Sequence, residues 1–217
     1  MEIVFISGWA TSSRIWDRIG DTGFPVHFLE WNDVLSGSVT LPSSCILAGW
    51  SLGGQLALDL LNCKEIKGLL LVSSMCCIAS HADRPGVDSS IYSEITSMLS
   101  RSRKGYLKSF FRQCGAQREE LPALMEQSSL FSDEDLQLGL NMMFNKVVEP
   151  ARSLPATLVH GTSDEIIPFS CSRYILEKLL FSCTSLVPVT GGSHLLPLTH
   201  PELIVEAVKE LAERIDS

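Results

Sequence analysis

The sequence predicts an α/β fold class, in which helices cover both faces of a mostly parallel sheet of about six strands and a helical cap is inserted in the core. Short apolar runs alternate with segments of helical spacing, which is the pattern of parallel strands joined by helices. The runs are continuously apolar, as in strands buried on both faces of a sheet. One long interval contains helical patterns alone, which predicts the insertion.

Each strand is predicted from one apolar run, and each core helix from a segment that separates or follows these runs. The predicted strands are residues 3–6, 26–29, 45–48, 69–73, 157–160 and 185–189. The predicted core helices are residues 13–19, 52–62, 170–180 and 201–215. The last helix has Pro201 near its start, where proline is tolerated, and its apolar residues recur along one face.

The interval after the fourth strand is predicted to be a helical cap of residues 76–154, inserted in a core of residues 1–75 and 155–217. Helical patterns occur near residues 91–99, 104–113, 119–127 and 133–145. Ser132 suits an N-cap for the last of these, with acidic residues such as Asp133 in the first turn. Connections in α/β units usually have about two to six residues, so we expect this insertion to cover a site.

The composition limits the class of protein. The 217 residues carry 17 Lys and Arg against 25 Asp and Glu, a net charge of −8, and 45 % of them are apolar. This excludes a disordered chain and disfavours a nucleic-acid-binding role, which needs a basic surface. The apolar runs are too short for a signal peptide or a membrane span, and none of the seven cysteines forms a C-x-x-C pair. We therefore expect a cytoplasmic protein with neither membrane nor nucleic-acid partners.

The sharpest motif is G-x-S-x-G at residues 49–53, followed by Gly54. It stands between a predicted strand and a predicted helix, where this motif places a serine hydroxyl on a sharp turn. Ser51 is therefore the predicted nucleophile. The amide of Leu52, at the amino end of the helix, would face the negative charge that develops during acyl transfer. The alternative is a glycine-rich turn with an exposed serine.

A serine nucleophile needs a base that an acid orients, and both follow in the chain order Ser, Asp, His. Asp164 stands in the loop after the fifth predicted strand, with Glu165 as the alternative acid. His194 stands in a glycine-rich loop after the sixth, with His200 as the main alternative base. The second oxyanion donor is expected to be the amide of Trp9, in the loop after the first strand.

On these motifs the chain resembles the α/β-hydrolase superfamily over nearly its whole length. Within it, the chain is similar to the pimeloyl-[acyl-carrier protein] methyl ester esterases of biotin synthesis. The similarity is carried by Gly8-Trp9, by residues 49–54 and by the Ser-Ser-Met-Cys segment at residues 73–76. It implies catalytic roles and oxyanion-hole roles for the residues proposed above, namely Ser51, Asp164, His194, Trp9 and Leu52.

The resemblance also implies acyl-chain contacts from the cap segment that contains Phe110 and Phe111, and Trp50 is a further candidate. Two features depart from the family pattern. Ser7 stands where the family commonly has histidine, which affects the fit of the substrate. The family's usual amino-terminal hairpin has no counterpart before the first predicted strand, so the expected sheet has about six strands.

A basic segment within the cap predicts a protein partner. Six of the 17 cations lie in residues 101–118, which contain no acid, so the rest of the chain carries a charge of −14. If one helix extends back to Arg101, then Arg101, Lys104, Lys108 and Arg112 share a face. Such a face would steer an acidic acyl-carrier protein towards the site. The alternative is a solvated helix face.

Three functions remain open on the sequence. The first is a serine carboxylesterase that hydrolyses the methyl ester of a carrier-linked acyl chain. The second is a general short-chain carboxylesterase, thioesterase or lactonase with the same catalytic groups. The third is a non-catalytic binding module, which would usually lack one member of the Ser-His-Asp set. The two hydrolytic mechanisms require no metal or cofactor.

Overall fold

A six-stranded parallel sheet forms the centre of the molecule in the computed structural model, which describes residues 1–149, 154–179 and 184–216. All six predicted strands are confirmed, with ends that shift by at most three residues. The strands are β1 (Glu2–Ile6), β2 (Val26–Leu29), β3 (Cys45–Trp50), β4 (Ile66–Val72), β5 (Ala156–Gly161) and β6 (Thr184–Val189).

The order of the strands is β2-β1-β3-β4-β5-β6. The chain first moves from β1 to β2 and then returns to the other side of β1 to form β3, so the direction of winding reverses there. Ligands of open α/β sheets bind beyond the carboxyl ends of the strands at such a reversal. The topology therefore places a site at the carboxyl ends of β1 and β3.

Burial separates the inner strands from the edges of the sheet. Most residues of β1, β3, β4 and β5 are buried, whereas β2 and β6 are largely half-buried or exposed. The expected burial on both faces thus holds for the four inner strands. The two edge strands lack a neighbour on one side, so their side chains are covered less completely.

Eight α-helices accompany the sheet within the described ranges. They are α1 (Trp31–Leu35), α2 (Leu52–Asp59), α3 (Ile91–Gln113), α4 (Leu121–Ser128), α5 (Asp133–Asn145), α6 (Ser170–Tyr174), α7 (Leu196–Thr199) and α8 (Pro201–Asp216). Short 3₁₀ helices cover Ser13–Trp16 and Leu60–Asn62, and a π-helix continues α6 over Ile175–Leu179. None of these helices is long and apolar enough to cross a bilayer.

The helices differ from the predicted ones mainly at their ends. The first predicted core helix, at residues 13–19, is only a short 3₁₀ turn, and the helix from Leu52 becomes a 3₁₀ helix at residue 60. The third predicted core helix was expected to end at position 180, which lies outside the described residues. The sequence analysis missed α1 and α7, because helices of four or five residues are too short to display a helical period.

Three helices, α3, α4 and α5, lie between β4 and β5, within the interval predicted to form the cap. Two of the predicted segments are joined in α3, which has a non-helical conformation at Ser102 (φ −161°, ψ 82°). The predicted N-cap of α5 is confirmed, because Ser132 and Asp135 exchange hydrogen bonds in a capping box. The predicted cap boundary at residue 154 adjoins positions 150–153, which are outside the described ranges.

Candidate active site

Ser51 stands on a strained turn between β3 and α2. Its backbone has φ 57° and ψ −121°, a region that non-glycine residues rarely adopt. A Cβ at Gly49 would collide with the backbone of Gly53, and one at Gly53 would lie 2.5 Å from the carbonyl oxygens of Ile6 and Ser7. The two glycines therefore let the first turn of α2 pack directly on the end of β1, as the motif predicts.

Ser51, His194 and Asp164 form a hydrogen-bonded chain. The Nε2 atom of His194 lies 3.0 Å from Ser51 Oγ, and its Nδ1 atom lies 2.7 Å from Asp164 Oδ2. Because an ionised carboxylate only accepts hydrogen bonds, Nδ1 carries the proton and Nε2 accepts from the serine hydroxyl. The three residues thus stand in the arrangement that activates a serine.

Asp164 is fixed by its own loop. Its Oδ1 atom accepts hydrogen bonds from the amides of Ile166 and Ile167, both at 2.9 Å. Burial alone would raise the pKa of Asp164, but the charge of His194 and the hydrogen bonds from His160 and His194 outweigh burial and lower this pKa below its usual range. The carboxylate therefore stays ionised at neutral pH.

The acid loop and the base loop pack against each other beyond β5 and β6. The amide of Ser163 donates to the carbonyl of Gly192 at 3.0 Å. A Cβ at Gly161 would collide with that same carbonyl oxygen. The close approach explains why glycine stands at position 161, because a side chain there would push the two loops apart.

Trp50 is placed beneath the site and does not line the cavity. It is 1 % exposed, its indole Nε1 donates to the carbonyl of His194 at 2.8 Å, and the two rings lie 5.1 Å apart. The predicted contact between Trp50 and the acyl chain is therefore wrong, because this side chain is buried and its indole N–H is hydrogen-bonded to the His194 loop. Gly8 makes room for this indole, since a Cβ there would lie 2.5 Å from the ring.

The two candidate oxyanion donors, the amides of Leu52 and Trp9, follow adjacent strands of the sheet. Leu52 begins α2, and Trp9 follows β1 in the adjacent loop. Within the described part of the chain, neither backbone amide donates to another protein group. The Trp9 indole Nε1 donates to the carbonyl of Leu136 in α5 at 2.9 Å, so the conformation of this loop is tied to the inserted helices.

An apolar cavity of about 190 Å³ opens beside Ser51. Its lining includes Phe110, whereas Phe111 is fully buried and does not line it, which corrects the second predicted aromatic contact. The remaining lining residues are Trp9, Ile78, Val87, Ile91, Ile95, Met98, Tyr106, Gln113, Leu140, Met143, Phe144, Glu165 and Ile166. A larger groove of about 390 Å³ lies between α1 and α5, but it contains no member of the hydrogen-bonded chain. The smaller cavity is therefore the candidate acyl site.

The alternative acid and base are not part of the hydrogen-bonded chain of Ser51, His194 and Asp164. Glu165 lies on the cavity wall and is exposed. His200 contacts the hydroxyl of Thr199. The sequence analysis did not predict the contact of His160, a buried side chain whose Nε2 atom lies 3.4 Å from Asp164 Oδ2. Its position four residues before Asp164 was the available signal.

Three of the four cations of the predicted basic face lie in one uninterrupted part of α3. Lys104, Lys108 and Arg112 are exposed at four-residue spacing in one continuous part of α3. Arg101 is also exposed but precedes the break at Ser102, so helical spacing does not place it on the same face. Helical spacing therefore places three of the four predicted cations on one face, because the backbone departs from helical geometry between Arg101 and the rest.

The fold and the hydrogen-bonded Ser-His-Asp chain define a hydrolase class of protein. The family described as "Alpha/beta hydrolase family" matches residues 3–207, and the chain belongs to this family. Among similar curated proteins, the pimeloyl-[acyl-carrier protein] methyl ester esterase of Wigglesworthia glossinidia brevipalpis is 24 % identical, with 100 % of this chain and 95 % of the relative covered. The protein of the same name from Nitrosomonas europaea is 26 % identical, with 97 % and 95 % covered. These relatives confirm the resemblance found in the motifs.

A solved structure shows the same fold. The esterase from Exiguobacterium antarcticum has a TM-score of 0.83 at 15 % identity, and the alignment covers 100 % of this chain and 92 % of the esterase. At this identity the likeness establishes the fold alone. Family membership and the curated relatives together indicate a hydrolase that acts on ester bonds.

Proposed function

We propose that this protein is a cytoplasmic serine carboxylesterase that hydrolyses the methyl ester of an acyl chain linked to a carrier protein, with pimeloyl-[acyl-carrier protein] methyl ester as the substrate. The observation that carries the proposal is the Ser51–His194–Asp164 hydrogen-bonded chain at the wall of an apolar cavity. The names of the curated relatives support the choice of substrate.

The reaction follows from the geometry in two steps. Ser51 Oγ attacks the ester carbonyl while His194 Nε2 takes the hydroxyl proton, and Asp164 stabilises the resulting imidazolium. The amides of Trp9 and Leu52 donate to the oxyanion. The bond to the methoxy group then breaks, and methanol leaves with the proton from His194. A water molecule, deprotonated by His194, next attacks the acyl-enzyme. The bond from the acyl carbon to Ser51 Oγ then breaks, His194 returns the proton to Oγ, and the carboxylic acid leaves.

The walls of the cavity suit an acyl chain. Apolar side chains supply most of the lining. Most of them come from the segment after β4 and from α3 and α5, and the loops after β1 and β5 supply Trp9 and Ile166. Burial of each methylene group of a substrate in such a cavity contributes about 0.8 kcal/mol. We therefore infer that the acyl chain of the substrate, and not a polar headgroup, provides most of the binding energy within the cavity.

Substrate profiling tests the proposed function. Hydrolysis of pimeloyl-[acyl-carrier protein] methyl ester is measured beside p-nitrophenyl esters of graded chain length. We expect the carrier-linked ester to give the highest kcat/KM, because it combines the apolar chain with contacts to the carrier. Higher kcat/KM for the small esters would instead support a general short-chain carboxylesterase. Restoration of growth to a biotin-requiring strain that lacks its own esterase tests the same function in cells.

A charge reversal tests the carrier-protein partner. The double variant Lys108→Glu/Arg112→Glu is expected to raise KM for the carrier-linked ester about tenfold, because like charges would then oppose an acidic carrier. Hydrolysis of a small uncharged ester should stay within about twofold of wild type. Equal effects on the two substrates would reject docking at this face and would favour the solvated-face alternative.

A matched control distinguishes the effect of reversing charge on this face from the effect of changing the net charge of the protein. The variant Lys64→Glu/Lys209→Glu makes the same change in net charge at exposed positions. Lys64 precedes β4, at the end of the sheet opposite the site, and Lys209 lies in α8. This control is expected to leave KM for the carrier-linked ester within about twofold of wild type.

A further inference from the structure

The buried carboxylate of Asp164 faces a second histidine besides His194. His160, in β5, is fully buried, and its Nε2 atom lies 2.9 Å from the carbonyl oxygen of Ile167 and 3.4 Å from Asp164 Oδ2. Its Nδ1 atom lies 2.6 Å from the hydroxyl of Ser172. Both ring nitrogens therefore have partners within the folded chain.

These partners determine the tautomer of His160. A carbonyl oxygen only accepts hydrogen bonds, so the Nε2 atom that faces Ile167 must carry a proton. In the neutral ring the Nδ1 lone pair then accepts from the Ser172 hydroxyl. Phe169 meets the ring edge-on at 5.7 Å and limits its rotation. The Nε2 proton is consequently donated to the Ile167 carbonyl, and the same nitrogen lies 3.4 Å from the carboxylate oxygen of Asp164 that also bonds His194.

We propose that His160 is a positioning residue for the catalytic acid, and that its Nε2–H holds Asp164 Oδ2 towards His194 and disperses part of the negative charge on that oxygen. This inference rests on the proposed serine mechanism. Two backbone amides hold Oδ1, so the carboxylate has donors on both oxygens and cannot rotate away from His194. With less charge on Oδ2, the carboxylate stabilises the imidazolium of His194 less strongly.

Other ionisable groups near the carboxylate leave this assignment intact. Cys114, at the end of α3, and Cys171, in α6, both interact with Asp164. Burial raises the pKa of Cys171 to about 12 and that of Cys114 well above its ordinary value, so both thiols are uncharged at neutral pH. Glu165 is exposed on the cavity wall. Within the described chain, the two imidazoles are the ionisable groups that face Oδ2 of Asp164, whereas backbone amides hold Oδ1.

Two variants of similar length test the proposal. His160→Met removes the donor, whereas His160→Gln keeps a side-chain N–H near the position of Nε2. With His160→Met we expect kcat for ester hydrolysis to fall on the order of tenfold with KM within about twofold. The acid limb of the kcat/KM profile should move up by about half a pH unit, because charge concentrated on Oδ2 favours the imidazolium. His160→Gln is expected to recover most of both effects.

The pH profile distinguishes positioning from a purely structural role. Thermal unfolding is measured for both variants, because either change disturbs a buried contact. Equal losses of kcat in both variants with an unmoved acid limb, or wild-type kinetics in His160→Met, would overturn the proposal. If His160→Met does not fold, Ser172→Ala decides: it should shift the acid limb in the same direction by a smaller amount, and an unshifted limb overturns the inference. Failure of the serine mechanism itself is recognised separately, by activity that survives the loss of Ser51.

Discussion

Replacement of Ser51 by alanine is expected to lower kcat for ester hydrolysis by on the order of 10⁶-fold. The hydroxyl is the only part of the side chain that forms the bond to the acyl carbon, and its hydrogen bond to His194 is lost with it. The activity that remains would come from the oxyanion donors and from binding alone. The assay is steady-state hydrolysis of a p-nitrophenyl ester and of the carrier-linked methyl ester.

The loss of activity in Ser51→Ala is expected without loss of the fold. Serine and alanine both carry a Cβ, so both bear the same cost at a φ of 57°, and the melting temperature should change little. A fluorophosphonate probe should label the wild type but not Ser51→Ala. The control is Ser163→Ala, which removes an exposed serine of the acid loop and should still be labelled. Retention of more than about a tenth of the wild-type activity would contradict the assignment of the nucleophile.

The sheet and the elbow could be predicted because local signals determine them. A continuous apolar run favours a buried strand, and all six such runs are strands, although only the four inner ones are buried on both faces. The turn at Ser51 depends on glycines within a few residues of it. Helix ends were predicted less well. Neither the break at Ser102 nor the four-residue helix α7 changes the spacing of apolar residues enough to be detected in the sequence.

The roles of several site residues depend on contacts between distant parts of the chain. Trp50 was expected to contact the acyl chain because it adjoins the nucleophile, yet its indole bonds the carbonyl of His194, 144 positions away. Phe110 and Phe111 are adjacent in α3, and only the first reaches the cavity. Which of two neighbouring side chains faces a cavity is set by the rotation of the helix against its partners, which the sequence of that helix does not specify.

Replacement of Asp164 by asparagine is expected to lower kcat on the order of 10⁴-fold with little change in the fold. The amides of Ile166 and Ile167 require an acceptor at the position of Oδ1, so the asparagine carbonyl oxygen must take that position. The amide nitrogen is then forced into the place of Oδ2 and presents a hydrogen to Nδ1 of His194.

That reversal of donor and acceptor determines the outcome. With Nδ1 accepting, the proton of the neutral ring moves to Nε2, and this nitrogen can no longer accept a proton from Ser51, 3.0 Å away. The variant should therefore bind substrate with KM within about threefold of wild type while kcat falls. Asp33→Asn, which removes one negative charge at an exposed position of α1, is the matched control and should retain wild-type kcat. If Asp164→Asn lost no more activity than this control, the carboxylate would have no part in orienting His194, and another group would have to hold the base.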